Sequence, residues 1–207
     1  LLPWASSVFA PHYDRIRDLQ QLPIGEVAHL QGVVTFADHA GKRFWVQDNT
    51  GAIAIDQDPQ RYGLHGGESV NVSAKKTHAY IPYGGLNSVE LTGFEVSVAE
   101  THLELLPPAT ASMRSLPEKE KIGIRVQFVG VVHQIARDSV GQNQIALGES
   151  GREIWAVIAN TKGDLSRLLN ARVRLVGVSE SIYDQNGRPQ TRHIWIQDSN
   201  DIHVEES

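Results

Sequence analysis

The chain of 207 residues has no cysteine, which excludes disulfides, thiolate nucleophiles and Cys-ligated metals. That absence suits an extracytoplasmic chain that avoids mispairing, although many cytosolic domains lack cysteine too. Neither sign of charge dominates. The formal net charge is −5 and the pI about 6.0, so the chain as a whole has no electrostatic reason to condense on phosphates. No apolar run approaches the roughly 18 residues needed to span a bilayer. The chain begins Leu1-Leu2-Pro3-Trp4 with no Met and no basic leader, as expected of an excised or processed piece of something longer.

Signatures of chemistry are missing as well. Nine histidines are scattered singly, without a His-x-x-x-His pair, so no metal site is expected. Gly66-Gly67 and Gly84-Gly85 fall in loops, without the strand-to-helix context of a phosphate cradle. Neither a nucleophile elbow nor a dinucleotide fingerprint occurs. The acidic pairs Glu118/Glu120 and Glu205/Glu206 lie in a linker and at the terminus, where solvation explains them. The expectation is a segment without catalytic residues, metal or cofactor. Strands alternating with long amphipathic helices, which a parallel α/β sheet needs, are also absent.

What is present is a repeat. Val27 to Val34 carries Gly32 at its centre, and Arg125 to Val132 carries Gly130, 98 residues further on. Phe44 to Ile55 maps on Ile145 to Ala156 with a shift of 101. Both copies read as a long strand followed by a tight hairpin. Period-2 alternation puts Ala28, Leu30, Val34 and Phe36 on one face and His29, Gln31, Val33 and Thr35 on the other. A glycine inside a strand weakens it unless a bulge or sharp bend needs the missing side chain. Its recurrence at the equivalent place favours a bend where one strand serves both halves of a barrel.

Asp48-Asn49-Thr50-Gly51 and Glu149-Ser150-Gly151 are turn chemistry. Around the first turn Phe44, Val46, Ile53 and Ile55 point inward, and Trp45 and Ala54 outward. Fourth strands follow at Ser69 to Ala74 and Arg172 to Val178. Fifth strands follow at Ser88 to Val98 and at His193 to Gln197, the latter broken at Asp198-Ser199-Asn200 before Ile202 to Val204. Ahead of strand four the first module has a loop with Pro59 and Gly63, and the second a short helix with Asp164 as N-cap. Ile16, Leu19 and Leu22 form one stripe of a short helix ended by Pro23, and Met113 to Pro117 repeats its end. The predicted fold is all-β, two tandem OB-fold-like five-stranded barrels with short capping helices, over residues 1–105 and 106–207. A single nine- or ten-stranded sandwich competes with it, and the duplication argues against that.

The string Gly32-Val33-Val34-Thr35-Phe36, then Phe44-Trp45-Val46-Gln47-Asp48-Asn49-Thr50-Gly51-Ala52-Ile53, resembles an OB-like module from extracytoplasmic regions of bacterial histidine kinases and related signalling proteins. The match covers residues 28 to 56, and the second module only in degenerate form. The resemblance implies a non-catalytic sensing or interaction segment in a periplasmic, membrane-anchored protein. An unidentified small ligand or protein would be its partner, without membrane contact of its own, and it could pair as a homodimer through Trp195 or strand edges.

OB folds also bind single-stranded nucleic acid or oligosaccharide on strands two and three, with aromatics for stacking and cations for phosphate. Candidates are Lys42, Arg43, Trp45 and Gln47 with Tyr80 and Tyr83 in the first module, and Arg152, Trp155, Tyr183 and Arg192 in the second. The loop Thr77 to Leu86, with two tyrosines, a proline and a Gly pair, is the most site-like stretch. A single-strand-binding tandem OB protein is thus the alternative reading, and a carbohydrate-binding module a third. Trp45 opposite Ala54 becomes Ala146 opposite Trp155 under the repeat. Such an exchange conserves volume, as a packed surface requires, and favours burial of these rings beneath a cap, the linker or the other module.

Overall fold

The computed structural model describes residues 12–80, 88–112, 114–116, 123–139, 141–149, 152–183 and 189–206. Regular structure among them is β-strand, with only 3-10 turns for helix. β1 (Val27–Asp38), β2 (Arg43–Gln47), β3 (Ala52–Ile55), β4 (Ser69–Tyr80) and β5 (Ser88–Val98) form one sheet in the order β3-β2-β1-β4-β5. A second sheet contains β6 (Ala109–Thr110), β7 (Arg125–Arg137), β8 (Asn143–Glu149), β9 (Arg152–Asn160), β10 (Arg172–Tyr183), β11 (Pro189–Asp198) and β12 (Ile202–Glu206). In it β9 pairs β11 in parallel and β10 pairs both β11 and β7. The ring β7-β8-β9-β11-β10 therefore closes, in the strand order of an OB barrel.

The first sheet has the same order, but among the described residues β3 and β5 share no ladder. Of the two five-stranded barrels expected, the second is seen closed and the first repeats its strand order. At the gap sits the 3-10 turn Ile16–Gln20, which touches both β3 and β5. Ile16 and Leu19 are buried there, while the Asp48 carboxylate accepts from the Ile16 amide at 2.9 Å. Under the turn, the buried Lys76 ammonium donates to the carbonyls of Leu19, Gln20 and Leu22 at 3.0, 2.8 and 2.6 Å. Its three donors meet three carbonyls at the end of the turn, that of Leu19 also accepting from the Leu22 amide at 3.3 Å. The apolar stripe was legible as a helix; a single five-residue 3-10 turn formed because Lys76 ties off its carbonyls.

Both glycines sit where a strand changes partners. β1 pairs β4 from Val27 to Val33 and β2 from Val33 to Asp38; β7 pairs β10 up to Val131 and β8 beyond it. A Cβ on Gly32 would lie 2.7 Å from the Gln47 carbonyl oxygen, and one on Gly130 2.9 Å from the Phe128 ring. Close approach, rather than an unusual φ, is what demands glycine. The bulges lie three residues further on, at Thr35 and at His133. Each reverses the alternation, which corrects the face expected for Phe36. Ala37 rejoins the core, and Phe36 turns outward.

The hairpin register is as expected, with Trp45 opposite Ala54 and Ala146 opposite Trp155. The Asp48 carboxylate accepts from the Thr50 and Gly51 amides at 2.6 and 2.8 Å and fixes the first turn. Strands four run to Tyr80 and Tyr183, well past their expected ends. A 3-10 turn capped by Asp58 (Pro59–Tyr62) stands where a plain loop was expected, and Ser166–Leu168 forms its counterpart. The predicted break after β11 is the turn Ser199–Asp201, held by reciprocal Asp198 and Asp201 caps.

Candidate functional site

Strand two of the first module points Arg43, Trp45 and Gln47 away from its own core, on the face an OB fold presents to ligands. Here that face is closed by the second barrel. Trp45, Phe36 and Val178 form a buried cluster with Ala159 and Trp195 packed against it. Trp45 is 2% exposed, with its ring centroid 5.4 Å from Phe36 and 6.1 Å from Trp195. The Arg43 guanidinium lies over both indoles, 4.5 Å from the Trp45 centroid and 5.0 Å from that of Trp195. It donates to both Glu180 oxygens at 3.0 and 3.3 Å, and Trp195 Nε1 donates to Glu180 at 2.7 Å. Gln47 accepts from the Arg125 amide at 2.8 Å, and Gln197 accepts from the Ala37 amide at 2.8 Å.

In this structure Arg43, Trp45 and Gln47 stand in a contact between the two modules, and Trp195, one of two places where pairing was left open, packs within the chain. The volume-exchange argument anticipated cover for Trp45. For Trp155 it did not hold equally, since that ring is only half-buried.

Trp155 stands in a row that crosses the outside of the closed barrel. Gln134 on β7 pairs Ala146 on β8, Ala146 pairs Trp155 on β9, and Trp155 pairs His193 on β11. Gln134 also lines a groove of about 590 Å³ with His133, Arg137, Asn143, Thr161 and Asp164. Arg137 Nε donates to the Asn143 carbonyl oxygen at 3.3 Å, and Asn143 Nδ2 donates to Thr161 at 3.0 Å, which fixes the amide. Hydrogen bonds from the Ser166 hydroxyl and amide hold the Asp164 carboxyl below the ordinary carboxylate range. Lys162 is tied to Asp198 at 2.9 Å. His193 lies at the other end of the row, edge-on to Trp195 at 6.0 Å. Its Nδ1 is buried without a partner, and burial lowers its pKa, with Glu180 opposing that shift and Arg43 adding to it.

The remaining candidates are not brought to this row by anything on view. Tyr80, Tyr183, Arg152 and Arg192 lie on strands whose side chains there fall outside the described residues, as does all of Tyr83 and most of its loop. Lys42 is exposed beyond the contact. Sequence reasoning missed the groove because it ended the first strand of the second module at Val132. Continuing the strand past His133 would have reached Gln134 and Arg137, though not the bulge that sets which way they face. Among the described residues no group of three metal-ligating side chains converges.

Strand order and closure define an all-β, OB-like protein. No protein-family model matches the sequence, and no curated protein does. Among solved structures the chain is similar to the Ifi202 HINa domain in complex with 20-bp double-stranded DNA, at 13% identity and TM-score 0.37 over 89% of this chain and 97% of that one. It is similar to a murine DNA-binding protein bound to double-stranded DNA, at 11% identity and TM-score 0.37 over 80% and 92%. A replication protein A heterotrimer bound to single-stranded DNA gives 11% identity and TM-score 0.33 over 85% of this chain and 50% of that one. Likeness at this level concerns the fold.

The resemblance to bacterial sensor modules is corrected here. Among the solved structures that the chain is similar to are HIN domains and replication protein A, and in the hairpin that carried the resemblance Trp45 and Gln47 pack against the second module while Val46 and Asp48 serve the first module's own core and turn. The sensory role in bacterial signal transduction and the periplasmic, membrane-anchored setting rested on that resemblance alone and fall with it. No helix among the described residues is long and apolar enough to cross a membrane.

Proposed function

We propose that the chain is a non-catalytic, single-strand nucleic-acid-binding protein of two OB-like modules, 1–105 and 106–207, with its binding surface on the second. The observation that carries this reading is the row Gln134–Ala146–Trp155–His193 leading into the Arg137 groove. The part of the Trp155 indole left open on strand three offers a ring on which one base stacks. Arg137 stands at the groove to meet a phosphate, while Gln134, Asn143 and Thr161 supply hydrogen bonds. DNA also accompanies the HIN-domain and replication protein A structures to which the fold is similar.

The acidic balance sets the character of the binding. Few cations line the surface among the described residues, so affinity comes from stacking more than from counterion release, and salt dependence is shallow. With about two phosphates engaged, log K falls with log salt at a slope near −1.4. Fluorescence anisotropy of a labelled oligo-dT at low and moderate salt tests this. Trp155→Ala should weaken binding by about 1–3 kcal/mol, the range for one base stacked on an aromatic ring. No binding at low salt, or binding indifferent to Trp155→Ala, would refute the proposal. Binding of an oligosaccharide without salt dependence would favour the carbohydrate reading.

A further inference from the structure

We infer that the first module carries a second single-strand-binding face, made of Arg43, Trp45 and Gln47, which the second barrel occupies in place of a nucleotide. The inference rests on the nucleic-acid reading. It follows from what each residue of the face touches. Arg43 holds the Glu180 carboxylate through two parallel hydrogen bonds, a geometry that fits a phosphate equally well. Trp45 has an aromatic ring, Trp195, as its neighbour, with centroids 6.1 Å apart and a tilt of 31°, in the place where a base would come to the indole. Gln47 accepts from a backbone N–H, that of Arg125, as it would from a base edge. Anion, aromatic ring and N–H donor are features that a nucleotide's phosphate and base also present, and here all three come from the second module.

The contact is also built to separate. Its fully buried apolar members among the described residues are Phe36, Trp45 and Val178 alone, whereas each module has its own larger core. The ion pair at its centre is partly open to water, the side chains of Arg43 and Glu180 being 26% and 21% exposed. Small, polar contacts between domains are the kind that open. Because the face is competent only when open, its apparent affinity scales with the open fraction, about tenfold for each tenfold rise. In the repeat, moreover, Trp45 and Trp155 sit on the same hairpin, on its two opposed strands. The second module thus shows in the open what the first one covers.

The double variant Glu180→Ala/Trp195→Ala removes the imitating groups and leaves Arg43, Trp45 and Gln47 intact. Titration with a labelled oligo-dT of about 12 nucleotides should give one site on the wild type and two on the double variant. Adding Trp45→Ala should return it to one. Circular dichroism confirms folding, and acrylamide quenching reads exposure of Trp45. Should the double variant unfold, Glu180→Gln keeps the packing while weakening the charge, and a second site at least threefold stronger than in wild type is expected. One site on the wild type and still one on the opened variant overturns this inference and leaves the proposed function standing. No site on the wild type but one Trp45-dependent site on the opened variant does the reverse. Binding by neither overturns both.

Discussion

Lys76 offers the sharpest test of how the first module is held. Its side chain is 4% exposed, and its ammonium is the shared donor for the carbonyls of Leu19, Gln20 and Leu22. Lys76→Met keeps most of the aliphatic volume and deletes all three donors. A hydrogen bond from a charged donor contributes about 1.5–3 kcal/mol, and an orphaned buried acceptor costs about 1–3 kcal/mol. The Gln20 and Leu22 carbonyls lie on exposed or half-exposed residues, where water can replace the lysine at small cost. The bond to Leu19 is buried, and without it that carbonyl keeps only the Leu22 amide at 3.3 Å. The expected loss is therefore about 3 kcal/mol, well short of three full charged bonds. Urea titration of the intact chain measures it, with Lys76→Arg as control, because a planar fork cannot reach three carbonyls arranged for an ammonium. Hydrogen exchange should localise the damage at the Ile16 and Arg17 amides, which bond to Asp48 and Thr50. A loss under 1 kcal/mol, or exchange unchanged at those amides, would show that the turn is held by its apolar stripe alone.

Three further outcomes follow from other parts of the molecule. Gly32→Ala places a methyl 2.7 Å from the Gln47 carbonyl oxygen, a backbone atom that cannot yield cheaply; a loss of about 2–3 kcal/mol is expected by thermal unfolding. Burial lowers the His193 pKa from its ordinary value of 6.5, so the unfolded chain binds more protons below that pH. Stability is then full above about pH 6.5 and is lost as pH falls through the folded value. His193→Gln should flatten the stability profile as pH falls below about 6.5, and an unchanged profile would refute the assignment. Asp201, raised by burial, works in the opposite sense at lower pH: its contribution is present in acid and lost as pH rises through its folded value. Arg137→Ala should weaken oligonucleotide binding and reduce the salt slope by about 0.7; a lower affinity with the slope unaltered would place Arg137 outside the phosphate path.

Much of the fold was legible because period-2 alternation and turn chemistry are local. Inward Phe44, Val46, Ile53 and Ile55, the Asp48 turn, and the break at Asp198 each depend on neighbours within a few residues. The duplication added long-range information, since two copies of one strand pattern imply one sheet order used twice. Strand ends were less legible. β4 and β10 outrun their apolar alternation, and their partners β5 and β11 stay paired with them as far as Tyr80 and Tyr183. The bulges at Thr35 and His133 left no local mark, and with them the outward turn of Phe36 and the groove beside Gln134 were hidden.

The sequence by itself determined the class of structure: all-β, repeated, with a glycine wherever the long strand must pass from one partner to the next. It also excluded thiol chemistry. Only the tertiary structure decided which surfaces remain free. A tryptophan facing outward from its strand reads the same whether it meets a ligand or a neighbouring module. What separates Trp45 from Trp155 is the second barrel, which lies against one hairpin and leaves the other open. That choice depends on Glu180, Trp195 and Gln197, residues more than a hundred positions from Arg43 and Trp45. No pattern along the chain encodes such an encounter, because it is made by complementary shape and charge between two finished surfaces.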